Sequence, residues 1–288
     1  MKVIVTIPAY NEEKTIEKVI KDIQRSLKNQ DFCYEIQVVD DGSVDKTAKI
    51  ARSLNARVYS HPVNCGLAET FRDEIQNALD NGADIIVHFD ADGQYRSDEI
   101  LNLIAPITNG KADLVLGSRF LGEIEEMPLL KKIGNRAFSK VVSHITGITI
   151  IDAQTGFRAF TKDLAEKVNV KSEFTYTQEQ IIKSARKKFR ILEVPIFFDK
   201  RISGKSRLMS NPFDYAVRGN INLLRIYRDF APLKFFGFIG FLLILLAFFI
   251  SIFSIFILNR LFDVTVLLLS LSGLQIILFG FLAEMIRE

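Results

Sequence analysis

Two apolar runs near the C-terminal end constrain this chain more than any other feature. Residues 235–258 are 24 positions without a charge, and residues 264–283 are another 20. As a helix, either run is long enough to cross about 30 Å of hydrocarbon. Between them, Asn259, Arg260, Leu261, Phe262 and Asp263 make a short polar-tipped turn, so the spans form a hairpin with both ends on one side. The 288 residues carry 37 Lys and Arg against 34 Asp and Glu, yet only Arg260, Asp263, Glu284, Arg287 and Glu288 fall within 235–288. The other charges crowd into residues 1–234, which read as a soluble domain. The alternative is a pair of buried helices in a soluble core, but such cores rarely supply two such runs back to back.

The flanks orient the hairpin. Residues 200–234 hold eight Lys or Arg against Asp214 and Asp229, while the turn holds one Arg. The positive-inside rule then places 1–234 and the C-terminus in the cytoplasm, as expected of a multi-pass protein of the cell membrane. Within 213–228, Phe213, Val217, Ile221, Leu224 and Ile226 interleave with Arg218, Arg225 and Arg228. That pattern suits an amphipathic helix in the headgroup layer, and would also suit a helix packed on the soluble domain. The apolar run at 3–7 stops at Pro8, too short for a secretory signal. A net charge of +3 is too balanced for a dedicated nucleic-acid binder. Cys33 and Cys65 form no CxxC, so they make neither a zinc site nor a disulfide framework and are expected to be reduced. A two-span tail buries little of itself, which is compatible with a homo-oligomer.

Ahead of the tail, β-branched runs at 2–7, 35–39, 57–59, 84–89 and 113–117 alternate with helical stretches at 13–27, 43–54, 67–79 and 98–107. Ile16, Val19, Ile20, Ile23 and Leu27 share one helical face. This alternation predicts an α/β domain with a mostly parallel sheet, whose ligands gather at the carboxyl ends of the strands. Polar clusters fall at those ends: Pro8 to Glu12, Asp40 to Ser43, and Asp90 to Gln94. No GxGxxG or GxxxxGK[ST] is present to favour a dinucleotide or P-loop site.

Asp90 and Asp92, two apart at a strand end, can face one cation, and Gln94 adds a third oxygen. An all-oxygen set suits Mg²⁺ or Mn²⁺, ions that bridge phosphates. The plainer reading is an acidic turn capping the next helix. Asp40 and Asp41 can accept from a base N–H or ribose hydroxyls, or Asp41 can cap a helix that starts at Ser43.

Taken in order, PAYNE at 8–12, DDGSVDKT at 40–47, NCGL at 64–67, DADGQ at 90–94, GSRF at 117–120 and GFRAF at 156–160 resemble the GT-A glycosyltransferases of family 2. EVPIFFDKRISGKS at 193–206 resembles the branch that makes polyprenyl-phosphate sugars, the dolichyl-phosphate mannose synthase group. The resemblance implies a GT-A catalytic domain over 1–206, juxtamembrane interfacial helices over 207–234, and transmembrane helices near 235–258 and 264–286. It implies an inverting, metal-dependent transfer of a sugar from a UDP- or GDP-linked donor to a dolichyl or undecaprenyl monophosphate. Carried over, Pro8, Ala9, Tyr10, Glu12, Asp40, Asp41, Gly66, Asp90 and Ala91 line the donor pocket. Asp90, Asp92 and Gln94 hold Mg²⁺ or Mn²⁺, and Arg201 and Lys205 grip the donor phosphates. Arg119, Lys132, Asn135 and Arg136 bind the acceptor phosphate, although the family often has Arg where Lys132 stands. Asp92, Arg119, Glu179 and Arg201 are the catalytic candidates, with Glu179 as base or orienting partner.

The chemistry agrees independently. A phosphate monoester has a second pKa near ~6, so the acceptor is already an anionic nucleophile at neutral pH. The harder tasks are neutralising the leaving diphosphate and aligning two anions, which call for a metal and for arginines. Lys131, Lys187 and Lys188 read as solvated surface, and His88 as a hydrogen-bonded core residue. Arg158 reads either as structural, paired with an acid such as Asp152, or as a ligand contact. Transfer to a lipid hydroxyl or a lipid-linked sugar is the competing activity. A polymer synthase is disfavoured because the chain has no Trp for a QxxRW motif. A membrane-tethered binding protein without turnover is disfavoured by the intact motifs.

Overall fold

The computed structural model describes residues 1–172, 176–200, 212–258 and 263–286. They fall into two compact units, Met1–Ala216 and Val217–Glu288. In the first unit, β1 (Lys2–Ala9) is buried at seven of its eight positions, as expected of a strand covered on both faces. β2 (Cys33–Asp40) and β4 (Ile85–His88) flank it in parallel, and β3 (Arg57–Ser60) adds in parallel outside β2. β6 (Arg158–Thr161) runs antiparallel between β4 and β5 (Leu114–Ile124), and β7 (Ile191–Phe198) closes the far edge parallel to β5. The order is β3-β2-β1-β4-β6-β5-β7. The sheet is therefore mostly parallel, as the alternation predicts, with one reversed strand supplied by the GFRAF segment.

α1 (Ile16–Leu27) buries Ile16, Val19, Ile20, Ile23 and Leu27, the face that its periodicity marks. These side chains join Val3, Val5, Ile7 and Val87 in the main core. α2 (Thr47–Ser53) begins four residues later than the sequence suggests. The reason is a competing set of bonds: Ser43 Oγ accepts from Asn11 N (2.9 Å) and Asn11 Oδ1 accepts from Val44 N (2.9 Å), so these residues serve a loop instead of a helical turn. α3 (Leu67–Asp80), α4 (Ile100–Thr108), α5 (Leu129–Thr146), α6 (Lys162–Lys167) and α7 (Tyr176–Arg186) complete the unit. β5 extends past the expected end at 117 because β7 stays beside it after a register shift between Ser118 and Glu123. Cys33 and Cys65 are free and exposed.

The second unit holds most of α8 (Pro212–Phe230), then α9 (Pro232–Phe253), a π-helical turn (Ser254–Leu258) and α10 (Asp263–Ile286). α9 and α10 pack as an antiparallel hairpin. A Cβ on Gly273 would sit 2.7 Å from the Gly240 carbonyl oxygen, so glycines set how closely the two backbones approach. Two stretches, Pro232–Phe256 and Val264–Ile286, are long and apolar enough to span a membrane, and only 17% and 11% of their most apolar windows are buried. Phe241, Phe248, Phe249, Leu267 and Leu278 point outward, the reverse of a soluble core. Of the turn expected over 259–263, Asp263 begins α10 and positions 259–262 lie outside the described residues.

Candidate active site

The ends of β1, β2 and β4 open into a cavity of about 540 Å³. Pro8, Ala9, Tyr10, Glu12, Asp41 and Gly66 line one wall, Asp90, Ala91, Asp92 and Gln94 the floor, and Arg119, Lys131, Asn135 and Gln154 the other wall. The three strand-end clusters thus converge as the fold class requires.

The first wall is laced by its own hydrogen bonds. Asn11 sits at φ 57°, a left-handed conformation that Asn tolerates, and holds the loop after β2 through Ser43 and Val44. Glu12 N donates to Thr47 Oγ1 (2.8 Å). Asp41, 5% exposed, accepts from Cys65 N (2.7 Å), Gly66 N (3.0 Å) and Asn64 Nδ2 (2.8 Å) and pairs with His61 Nδ1 (2.9 Å). Gly42 lies at φ 73° with its ideal Cβ position 2.5 Å from the Val63 carbonyl carbon, so only glycine fits where the two loops touch. The ligand atoms of Asp41, His61 and Cys65 lie within 4.8 Å of one another. The Asp41 oxygens are already engaged, so this trio clamps a loop. His61 Nε2 meets Asp73 (2.8 Å). Partial burial opposes charge on His61, but the hydrogen bonds to Asp41 and Asp73 outweigh it and raise its pKa. Asp40 is buried, accepts from Ser43 N (3.2 Å) and is absent from the lining. Asp41 does not cap a helix beginning at Ser43, since α2 starts at Thr47.

On the floor, Asp90 packs so tightly over Gly156 that a Cβ there would lie 2.8 Å from Asp90 Oδ2. Behind it, the buried His88 bonds Glu74 Oε2 through Nδ1 (2.8 Å) and sits 3.5 Å from Asp90 Oδ1 through Nε2. Burial opposes the imidazolium, yet Glu74 and Asp90 push its pKa up to about 9. Asp92 Oδ1 accepts from Gln94 N (3.1 Å), and Gln94 Nε2 donates to Asp199 O (3.1 Å). Asp90, Asp92 and Gln94 line the cavity together, and the Gly156 cradle leaves room for the Asp90 carboxylate. Their oxygen-only donor set fits a hard divalent ion.

The far wall depends on a buried ion pair. Arg119, 4% exposed, places Nε and Nη2 on the two oxygens of Asp152 (2.7 Å each). Glu193 holds that loop by accepting from Ile151 N (2.7 Å) and Asp152 N (2.8 Å). Burial weighs against the Arg119 charge, but Asp152 more than offsets it and keeps the guanidinium protonated. In the amide orientation that suits its neighbours, Asn135 donates to Gln154 Oε1 (2.7 Å) and accepts from Arg119 Nη2 (3.2 Å).

Several expectations change here. Asp152 partners Arg119, leaving Arg158 to donate to Thr177 O (3.1 Å), Gln180 Oε1 (2.9 Å) and Thr155 O while fully buried. Arg158 therefore stitches β6 to α7, and burial lowers its pKa. Glu179 is absent from the cavity lining: its oxygens accept from Lys171 N (3.0 Å) and Ser172 N (2.6 Å), and Lys183 lies 2.8 Å away. Lys132 and Arg136 also lie off the lining, and the Arg136 guanidinium stands 5.4 Å over the Phe120 ring. Lys131, which reads from the sequence as solvated surface, lines the cavity instead. The available signal is spacing: Lys131 and Asn135 are four apart and share a helical face, as Lys132 and Arg136 share the next. Arg201 and Lys205 lie outside the described residues.

Residues 4–168 match the family described as Glycosyl transferase family 2. A UDP-N-acetylglucosamine–dolichyl-phosphate N-acetylglucosaminyltransferase of Methanococcus voltae is 37% identical over 213 residues, covering 66% of this chain and 82% of that one. A dolichyl-phosphate hexose transferase of Haloferax volcanii is 32% identical, covering 73% and 86%. The solved glucosyl-3-phosphoglycerate synthase of Mycobacterium tuberculosis, in complex with Mn²⁺, UDP and glucosyl-3-phosphoglycerate, superposes with a TM-score of 0.61 at 21% identity over 77% of this chain and 79% of that chain. This chain belongs to glycosyl transferase family 2, with a GT-A fold, and is related to the dolichyl- and polyprenyl-phosphate glycosyltransferases.

Proposed function

We propose that this chain transfers a sugar, with inversion, from a nucleotide sugar to a polyprenyl monophosphate, dolichyl or undecaprenyl, at the cytoplasmic membrane face. The observation that carries the reading is the polarity of one cavity: the Asp90 and Asp92 carboxylates on its floor, the Arg119 and Lys131 cations on its wall. Such a site accepts a cation-bound diphosphate beside a second anion. The names of the archaeal relatives support the same pair of substrates, and the charge asymmetry about the hairpin supports the cytoplasmic face.

In this reading Asp90 and Asp92, with Gln94 beside them, hold Mg²⁺ or Mn²⁺, which when bound neutralises charge developing on the leaving nucleoside diphosphate. The wall of Pro8, Tyr10, Glu12 and Asp41 takes the nucleoside. Arg119, fixed through two of its nitrogens by Asp152, offers the remaining one to the acceptor phosphate, and Lys131 adds a point charge. Fixing Arg119 in advance reduces the reorganisation needed when substrate binds. A phosphate oxygen attacks the anomeric carbon as the bond to the diphosphate breaks. Because that oxygen is already anionic, no base is required, which accords with Glu179 serving the loop at 171–172. Arg201 and Lys205 are assigned to the donor phosphates on the sequence resemblance.

The test uses the full chain in lipid nanodiscs with Mg²⁺ or Mn²⁺, polyprenyl phosphate and a panel of radiolabelled UDP- and GDP-sugars. One donor is expected to give a lipid-soluble product, reduced by ~10²–10³-fold in Asp92→Ala. Donor hydrolysis without a lipid product would move the acceptor to another class.

A further inference from the structure

Every position of β4 is buried, and Ile85, Ile86 and Val87 are apolar. The fourth residue, His88, is fully enclosed, and so is Glu74 of α3, the acid it meets there. An imidazole–carboxylate pair is a costly way to fill a core, since apolar side chains of similar volume are often as stable or more so. The pair therefore calls for a role besides stability, and its geometry supplies one. His88 Nδ1 meets Glu74 Oε2 at 2.8 Å. Nε2, on the far side of the ring, faces Asp90 Oδ1 at 3.5 Å and makes no hydrogen bond to any other group among the described residues. The ring is held from two sides, with the Phe71 ring edge-on at 5.2 Å and the Tyr176 ring at 6.2 Å. Asp90 is thus flanked by a fixed donor at Oδ1 and by the Gly156 cradle at Oδ2.

We propose that His88, anchored by Glu74, is a positioning residue that aims its Nε2–H at Asp90 and fixes that carboxylate for the divalent cation. The inference rests on the reading above that Asp90 and Asp92 hold the cation. A carboxylate free to rotate loses that freedom when it binds an ion, whereas one already bonded from behind has less to lose. The 3.5 Å separation is long for a hydrogen bond. A movement of about half an ångström closes it to the usual length, and contacts of this kind tighten when the ligand arrives. Neither His88 nor Glu74 lines the cavity, so both act on the site only through Asp90.

The test measures Mn²⁺ affinity by the electron paramagnetic resonance of free Mn²⁺, with the full chain in nanodiscs at a fixed pH and with UDP or GDP present. Two amides stand in for the ring. His88→Asn reproduces Nδ1 and keeps the contact to Glu74 but carries nothing at the Nε2 position. His88→Gln places an N–H where Nε2 stood. His88→Asn is expected to weaken Mn²⁺ binding by ~10-fold or more, and His88→Gln by less than about threefold. Both remove the ring and its aromatic packing, so a merely structural role would move them together, and equal affinities in the two variants would overturn the proposal. Should His88→Asn fail to unfold cooperatively by circular dichroism, Glu74→Leu combined with His88→Phe takes its place. That apolar pair is expected to fold at least as well as the native chain and to show the same ~10-fold loss; native affinity in it would overturn the proposal. Asp92→Ala is the control for the floor itself. If it binds Mn²⁺ as the native chain does, the metal floor and the role of His88 fall together. If it loses Mn²⁺ while His88→Asn does not, only the role of His88 falls. Mn²⁺ affinities in the expected order, in a protein that gives no lipid product, would leave this inference standing and end the acceptor assignment.

Discussion

The two walls of the cavity are built on opposite principles. On the wall of Pro8, Tyr10, Glu12 and Asp41, polar groups are spent on the protein itself: Asp41 holds the 61–66 loop, Asn11 holds the loop after β2, and the Glu12 backbone N–H donates to Thr47 at the start of α2. What faces the cavity, Pro8, Ala9, Tyr10, Glu12, Asp41 and Gly66, is a wall held in place by the hydrogen bonds behind it. On the cation wall, Arg119 is pinned by one buried acid, and Lys131 extends from a helix whose outer face is exposed. A rigid wall suits a ligand with a fixed shape. Concentrated charge suits an anion, whose recognition depends more on field than on contour.

The sharpest way to break this contrast is at Asp152. Asp152→Ala leaves the Arg119 guanidinium buried without its partner, and the loss of stability is expected to be about 3–5 kcal/mol, read by denaturant unfolding. An unchanged midpoint would mean that the cation wall is not built on that pair. Next in size is the lysine pair. Lys131→Ala is expected to raise KM for a short-chain acceptor in detergent by ~10-fold or more while leaving donor affinity unchanged, and Lys132→Ala to alter it by less than about twofold. Equal effects would show that α5 is phased differently in the working enzyme.

The smallest effect tests the wall held by Asp41. Because the folded pKa of His61 is raised above its ordinary 6.5, its clamp contributes fully below that value and weakens as pH rises through the folded pKa. The melting temperature of the native chain should therefore exceed that of His61→Asn by about 2 °C or less at pH 6, and the gap should narrow as the pH is raised above 6.5. A gap that widened with pH would reverse the assignment.

Legibility differs between the walls for the same reason. PAYNE, DDGS and DADGQ are contiguous and sit at strand ends, so the periodicity of the chain is enough to locate them. The cation wall is assembled from β5, α5 and the 152–154 loop, and its occupants depend on how a helix is rotated. Along α5 a shift of one residue exchanges Lys131 and Asn135 for Lys132 and Arg136; Phe138 and Val142 mark the inward face of the later turns, but the apolar Leu129, Leu130 and Ile133 blur it where the cavity is lined. Asp152 likewise has two candidate arginines in the sequence, Arg119 and Arg158, and spacing does not choose between them.

By itself, the sequence determined what hydropathy and spacing can encode: the alternating α/β domain, the two apolar spans, the acids waiting at strand ends and the family they resemble. These are local properties, set by neighbours along the chain. Tertiary structure alone decided that β6 runs backwards, that Arg119 takes Asp152, that Glu179 serves a loop and that Lys131 enters the cavity. The first two are choices among partners distant in sequence, and the last two turn on how a helix is rotated; in each case the burial that leaves the fewest charges and hydrogen bonds unmatched wins.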